Sequence, residues 1–186
     1  MSQIPVGLVL VWLLAACGQP NDALPTRPPL PPGWTVAQSG AVDLRMALPP
    51  WIVAFDTSGA IFANELPSSP GADFIQVLAE GPRTAEDRKP AAGEPLDHWL
   101  ERYWFQYEPE RGPTTTRSLP LPAGRATELR TTLGAGTDHE RSVILYAIAT
   151  AKGVGFLAID GPPQQMATRS ADLALIPLLI ELEPRP

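Results

Sequence analysis

Apolar side chains recur at every second residue along much of this chain. Val42, Leu44, Met46 and Leu48 alternate with Asp43, Arg45 and Ala47, the period of a half-buried strand. Pro49-Pro50 ends that run, and residues 51–55 resume an apolar stretch. Thr57-Ser58-Gly59 reads as a turn into a second strand over 60–65, and residues 73–80 form a third after a loop of Pro, Ser and Gly. The polar stretch 81–93, with Arg83, Glu86, Asp87, Arg88 and Lys89, predicts a mobile excursion.

The period then changes. Leu96, Trp99, Leu100, Tyr103, Trp104 and Tyr107 fall on one face of a helix over 95–108, opened by Pro95 and stopped by Pro109 and Gly112. A face this aromatic must lie on a sheet. Phe105 projects from the opposite side, beside His98 and Glu101, and is the candidate partner contact. An outward phenylalanine can mark a docking surface, unless the 81–93 loop covers it. After a loop at Thr114-Thr115-Thr116, the run Leu119-Pro120-Leu121-Pro122-Ala123-Gly124 leads into a strand over 125–133. Gly134-Ala135-Gly136 turns the chain, and a long apolar strand over 141–151 pairs with 154–160 through a Lys152-Gly153 hairpin turn. Residues 164–176 read as a second helix with Met166, Leu173 and Ile176 inward, interrupted by Pro177, and 178–182 as a final strand. There are no internal repeats.

The beginning of the chain follows neither period. Residues 4–16 carry no charge, yet they are too few to cross a bilayer, which takes roughly 20 apolar residues. They fit the apolar region of a signal peptide, with Ala15 and Ala16 small enough for a peptidase, although Met1-Ser2-Gln3 has no Lys or Arg. Leu14-Ala15-Ala16-Cys17 resembles the lipobox of bacterial lipoproteins, which implies a signal peptide over 1–16 and a lipid on Cys17. Pro25, Pro28, Pro29, Pro31 and Pro32 make 17–32 an extended tether, and 33–186 the globular domain. At ~3.1 Å per residue the fifteen residues after Cys17 would lift that domain at most roughly 45 Å. Gly18, rather than the Asp associated with inner-membrane retention in such lipoproteins, leaves outer-membrane delivery open.

Composition sharpens the partner classes. A net charge of −6 and a pI near 4.9 argue against nucleic acid, whose binding draws on basic residues meeting phosphates. They also argue against electrostatic adhesion to anionic lipid heads, so attachment rests on acyl chains at about 0.8 kcal/mol per buried methylene. One cysteine forms no internal disulfide, and the core alone must hold an exported domain together.

Motifs with catalytic connotations fail on context. Asp56-Thr57-Ser58-Gly59 has Ser58 where the aspartic-protease loop has glycine, and no second copy supplies the paired carboxylate. Gly153-Val154-Gly155-Phe156-Leu157-Ala158 fits a dinucleotide fingerprint but joins two strand-like runs instead of a strand and a helix. Asp138-His139-Glu140 offers adjacent ligands that point to opposite sides of an extended chain, and His98 lies outward on its helix. No Gly-x-Ser-x-Gly or Ser-x-x-Lys marks a nucleophile. No catalytic, cofactor or metal residue is therefore assigned. The carboxylates Asp56, Asp73, Glu80 and Asp160 would serve an envelope hydrolase if two of them converged.

The element order resembles the PsbP-like superfamily, which includes photosynthetic accessory proteins, a Ran-binding import factor and LpqN-type lipoproteins. The resemblance runs from Trp34 to Glu183 and is carried by Leu48-Pro49-Pro50-Trp51 after the first long strand and Gly124-Arg125-Ala126 before the meander. It implies a single α+β domain, an antiparallel sheet flanked by helices in an α/β/α sandwich. It also implies a largely non-enzymatic binding role, with no ligand motif to transfer. The expectation is a lipid-anchored extracytoplasmic accessory module that binds the membrane through its lipid and an envelope protein as partner. A carboxylate-dependent envelope hydrolase and a ligand-free structural protein are the alternatives.

Overall fold

The computed structural model describes residues 23–39, 44–57, 59–66, 73–82, 89–105 and 111–182. Residues 1–16, Cys17, Ser58, Tyr107, the centre of the 81–93 excursion and the side chain of Asp56 lie outside that set. In chain order, β1 is Thr35–Gln38, β2 Leu44–Leu48, β3 Ile52–Asp56, β4 Ile61–Glu65 and β5 Gln76–Glu80. Helix α1 (Leu96–Trp104) separates these from β6 (Thr115–Leu121), β7 (Gly124–Leu133), β8 (Arg141–Thr150) and β9 (Gly153–Gly161). Helices α2 (Pro163–Thr168) and α3 (Ser170–Leu179) lead to β10 (Ile180–Leu182).

All strand pairs are antiparallel, in two sheets rather than the expected one. Seven strands run β3-β4-β5-β9-β8-β7-β6, and a smaller sheet runs β1-β2-β10. The continuous apolar runs of β8 and β9 occupy the middle of the large sheet, where both faces are covered. Leu145, Ala147, Phe156 and Ala158 point to one face and Tyr146, Ile148, Leu157 and Ile159 to the other.

Helix α1 covers the first face. Trp99 is fully buried there, stacked on Tyr103 at 4.9 Å and edge-on to Phe156 at 6.2 Å. The small sheet, α2 and α3 together cover the second face: Leu44, Met46, Leu48, Ile176, Ile180 and Leu182 pack against Ile61, Val77, Leu157 and Ile159. One flank of the sandwich is therefore strand on strand. Gly155 permits it, because a Cβ there would lie 2.3 Å from a Leu182 methyl. The two resemblance motifs also have local reasons. Trp51 donates its indole N–H to Asp172 of α3 at 2.8 Å, under the Arg169 guanidinium. Gly124 turns β6 into β7 at φ 156°, with the Ala149 carbonyl where a Cβ would stand.

Several expectations change. The stretch around Thr114-Thr115-Thr116 is strand β6 rather than loop, and it tolerates Pro120 because an edge strand need not donate outward. The second helix is two, α2 and α3, and Pro177 lies inside α3 instead of ending it. The tether is not free along its length. Arg27 pairs with Glu181 of β10 at 2.5 Å and donates to the Ile180 carbonyl at 3.4 Å, so the chain is fastened well before Gly33.

Phe105 is the principal correction: it is buried, with 7% of its surface exposed, and belongs to the α1-face core. Helical spacing put it outward, but α1 ends at Trp104 and Phe105 leaves helical geometry at φ −96°, ψ 15°. That turn brings the ring inward, beneath the Arg111 guanidinium at 5.2 Å. With no exposed face it offers nothing to a partner. Replacement of Phe105 by Ala should cost ~3–5 kcal/mol, comparable to Trp99→Ala, as for a buried aromatic. Chemical denaturation checks this; a change within about 0.5 kcal/mol would mean that the ring is not core.

Candidate functional site

Sheet and helices do not cover the second face evenly. The small sheet sits over β4, β5 and β9, while α2 and α3 lean over β8; Leu121 and Ala126 of β6 and β7 join this core, and the other half of the β6–β7 pair, around Thr115, Arg117 and Arg130, is left open. Along that boundary runs a groove of about 460 Å³. Thr115, Arg130, Ile144 and Tyr146 form its floor from three neighbouring strands, and Met166, Ser170 and Leu173 its helical wall. Beyond Arg130 it continues onto Arg117 and Glu128. This size suits a small ligand, and the lining mixes apolar and polar side chains.

Register explains why these groups meet. Arg117 of β6 lies opposite Glu128 of β7, which lies opposite Tyr146 of β8, and Arg130 is two residues from Glu128 on the same face. Glu128 is 2% exposed and accepts from both arginines: Arg117 Nε and Arg130 Nε each stand 2.7 Å from Oε1, with Nη2 of each at 2.9 and 3.3 Å from Oε2. Burial by itself would raise the Glu128 carboxyl; hydrogen bonds from Arg130, Arg117 and Tyr146 outweigh it and bring the pKa down to about 2. Burial, reinforced by that carboxylate, pushes the Tyr146 phenol above its ordinary value. Both guanidiniums remain half-exposed, so the cluster presents one net positive charge at the groove.

Of the carboxylates considered for hydrolysis, the three whose side chains are described, Asp73, Glu80 and Asp160, do not share this site. Glu80 accepts from the Tyr103 hydroxyl on the α1 face. Asp160 is held by Arg141 at 2.6 Å on that same face; burial raises its pKa against the opposing pull of Arg141. Glu80 and Asp160 lie on paired strands but four residues apart in register, about 13 Å along the strand. Asp73 is exposed, its carbonyl accepting from Gln165 Nε2. His98 is exposed on α1, and His139 lies in the β7–β8 turn, where Glu140 accepts from the Gly136 N–H. Among the described residues no three or more His, Cys, Asp or Glu side chains gather as a metal site. No helix among them is long and apolar enough to cross a membrane.

None of the groove residues was marked as a site in the sequence: Met166 and Leu173 read as helix core and Thr115 as loop. The available signal was Glu128 and Arg130 at i and i+2 within a strand, a charged face where an apolar one is expected. Arg117 had no such signal, because its strand read as loop.

No family model matches the sequence, and no curated protein is significantly similar to it. Its fold does have counterparts. The solution structure of cyanobacterial PsbP (CyanoP) from Synechocystis aligns with a TM-score of 0.52 at 10% identity, over 91% of this chain and 98% of that one. A Pseudomonas aeruginosa protein of unknown function, described as a putative regulator, aligns at 0.50 and 12% identity, over 82% and 98%. LpqN of Mycobacterium tuberculosis, involved in cell envelope biogenesis, aligns at 0.41 and 12%, over 84% and 82%. The CyanoP alignment shows a PsbP-like α+β fold; at such identities the likeness is one of fold alone.

Glu128 makes stability pH-dependent. Its folded pKa lies below the ordinary 4.5, so its contribution is complete above that value and is lost as pH falls toward 2. The full effect is at most about 3 kcal/mol. Glu128→Gln should therefore be less stable than the parent at neutral pH, with the difference shrinking between about pH 5 and pH 2. Parallel pH–stability curves for the two proteins would show that the carboxylate is not held by its arginines.

Proposed function

We propose that this chain is a lipid-anchored extracytoplasmic accessory protein that binds a ligand or envelope partner without catalysing a reaction, and that the groove over β6–β8 is where it binds. The groove carries the reading. Its ionisable groups are arranged to hold rather than to react: Glu128 stays ionised at neutral pH with both oxygens engaged, far from the pKa near 7 that suits a general acid or base. The half-exposed Arg117 and Arg130 keep donor edges toward solvent, where they can meet an acidic group. The lipobox-like Leu14-Ala15-Ala16-Cys17 supports the anchor and the location.

Anchor and groove are tested separately. Cys17→Ser should release the protein from the membrane fraction or leave uncleaved precursor; recovery of cleaved, acylated protein from this variant would refute the anchor. Ser170→Trp places a bulky ring at the groove wall from an exposed helical position. It should change stability by no more than about 0.5 kcal/mol while abolishing recovery of the partner cross-linked to the parent protein in intact membranes. Undiminished recovery would move the binding site elsewhere.

A further inference from the structure

The groove over β6–β8 differs from one side to the other. At its β6–β7 side stand Arg117, Glu128 and Arg130, with Thr115 opposite Arg130 in register. Two strand spacings from β6, about 10 Å across the sheet, the floor is Ile144 and the wall Met166 and Leu173, with Ala167 and Ala174 beside them. Arg130 borders both parts and joins them. One side is cationic and the other apolar.

The cationic side is built for a single oxyanion. Glu128 is the only acid among the described residues that line the groove, and both its oxygens are taken by the two guanidiniums. Each guanidinium uses Nε and Nη2 in those bonds, and its Nη1 donors take no part in them. The buried carboxylate therefore fixes the orientation of both arginines before a ligand arrives, and spares the ligand the cost of ordering them. Two guanidiniums against one carboxylate leave one positive charge, matched by one carboxylate or phosphate group. The helical wall does not alter that balance: Asp172 accepts from Trp51, and Arg169 lies over the same ring and beside Glu65.

We propose that the groove takes an amphiphilic acid: a carboxylate or phosphate held by Arg117 and Arg130, joined to an apolar body about 10 Å long laid across Ile144 against Met166 and Leu173. This rests on the groove being the binding site. A neutral ligand of the same shape covers the same apolar wall but forgoes the charge-assisted hydrogen bonds. A bare anion such as inorganic phosphate forgoes the wall.

The probes are octanoic acid, octyl phosphate and octanol, each carrying a photoreactive diazirine at the end of its chain. The full-length protein, as processed by the cell, is irradiated with each probe in phosphatidylcholine vesicles at neutral pH, and labelled peptides are mapped by mass spectrometry. The expected result is labelling of residues 142–146 and 163–174 by the acid, the phosphate or both, at least about tenfold above the alcohol, as for loss of hydrogen bonds to a charged group. Labelling by only one of the two anions supports the proposal and identifies the oxyanion that the arginines take. Arg117→Gln keeps Glu128 paired with Arg130 and makes the cluster neutral, so it should bring the anionic probes down to the level of the alcohol. Its urea midpoint reports whether it folds; if it does not, the comparison of probes on the parent protein decides. A folded Arg117→Gln with undiminished labelling overturns the proposal. Labelling by the alcohol as strong as by the anions also overturns it, and leaves the groove as an apolar binding site. Absence of anionic labelling from both segments overturns it too; the groove as the site of a partner then stands or falls on the Ser170→Trp cross-linking alone.

Discussion

A strand as apolar as β8 has no face that it can leave in water. Val143, Leu145 and Ala147 on one side and Tyr146 and Ile148 on the other are all buried, and β9 repeats the pattern beside it. The hydrophobic effect therefore demands cover on both faces of the central hairpin, and the rest of the chain is disposed to provide it. One nine-residue helix suffices on the first face because Trp99, Tyr103 and Trp104 together span Phe156. The second face is larger, and α2, α3 and a second sheet share it.

That division of labour leaves two parts of the large sheet uncovered. Where α2 and α3 end over β8, the sheet continues as β7 and β6, and its exposed face changes from apolar to charged. Burying Glu128 there would be costly without compensation; two guanidiniums and a phenol provide it. The cluster seals the open end of the core against water while presenting arginine to whatever enters the groove. Where α1 ends on the opposite face, β3 and β4 continue without cover, and Val53, Phe55 and Phe62 stay exposed.

Local pattern in the sequence determined the kind of most elements: period two for β2, apolar runs bounded by turn residues for β3, β4, β5, β7, β8 and β9, helical spacing for α1, and through their order an α+β fold with an antiparallel sheet. These were readable because alternation is imposed residue by residue by the pleat and the helical turn. The element order also resembled the PsbP-like fold, which the alignment with CyanoP bears out as a fold. Only tertiary structure decided that β1, β2 and β10 form a separate sheet, since pairing partners far apart in sequence leave no local trace. It brought Phe105 inward, because a helix end redirects side chains that periodicity assumes are still turning. It also assembled the groove: Arg117 and Tyr146 meet Glu128 through register across three strands, and register is set by how whole faces bury rather than by any residue's own neighbours.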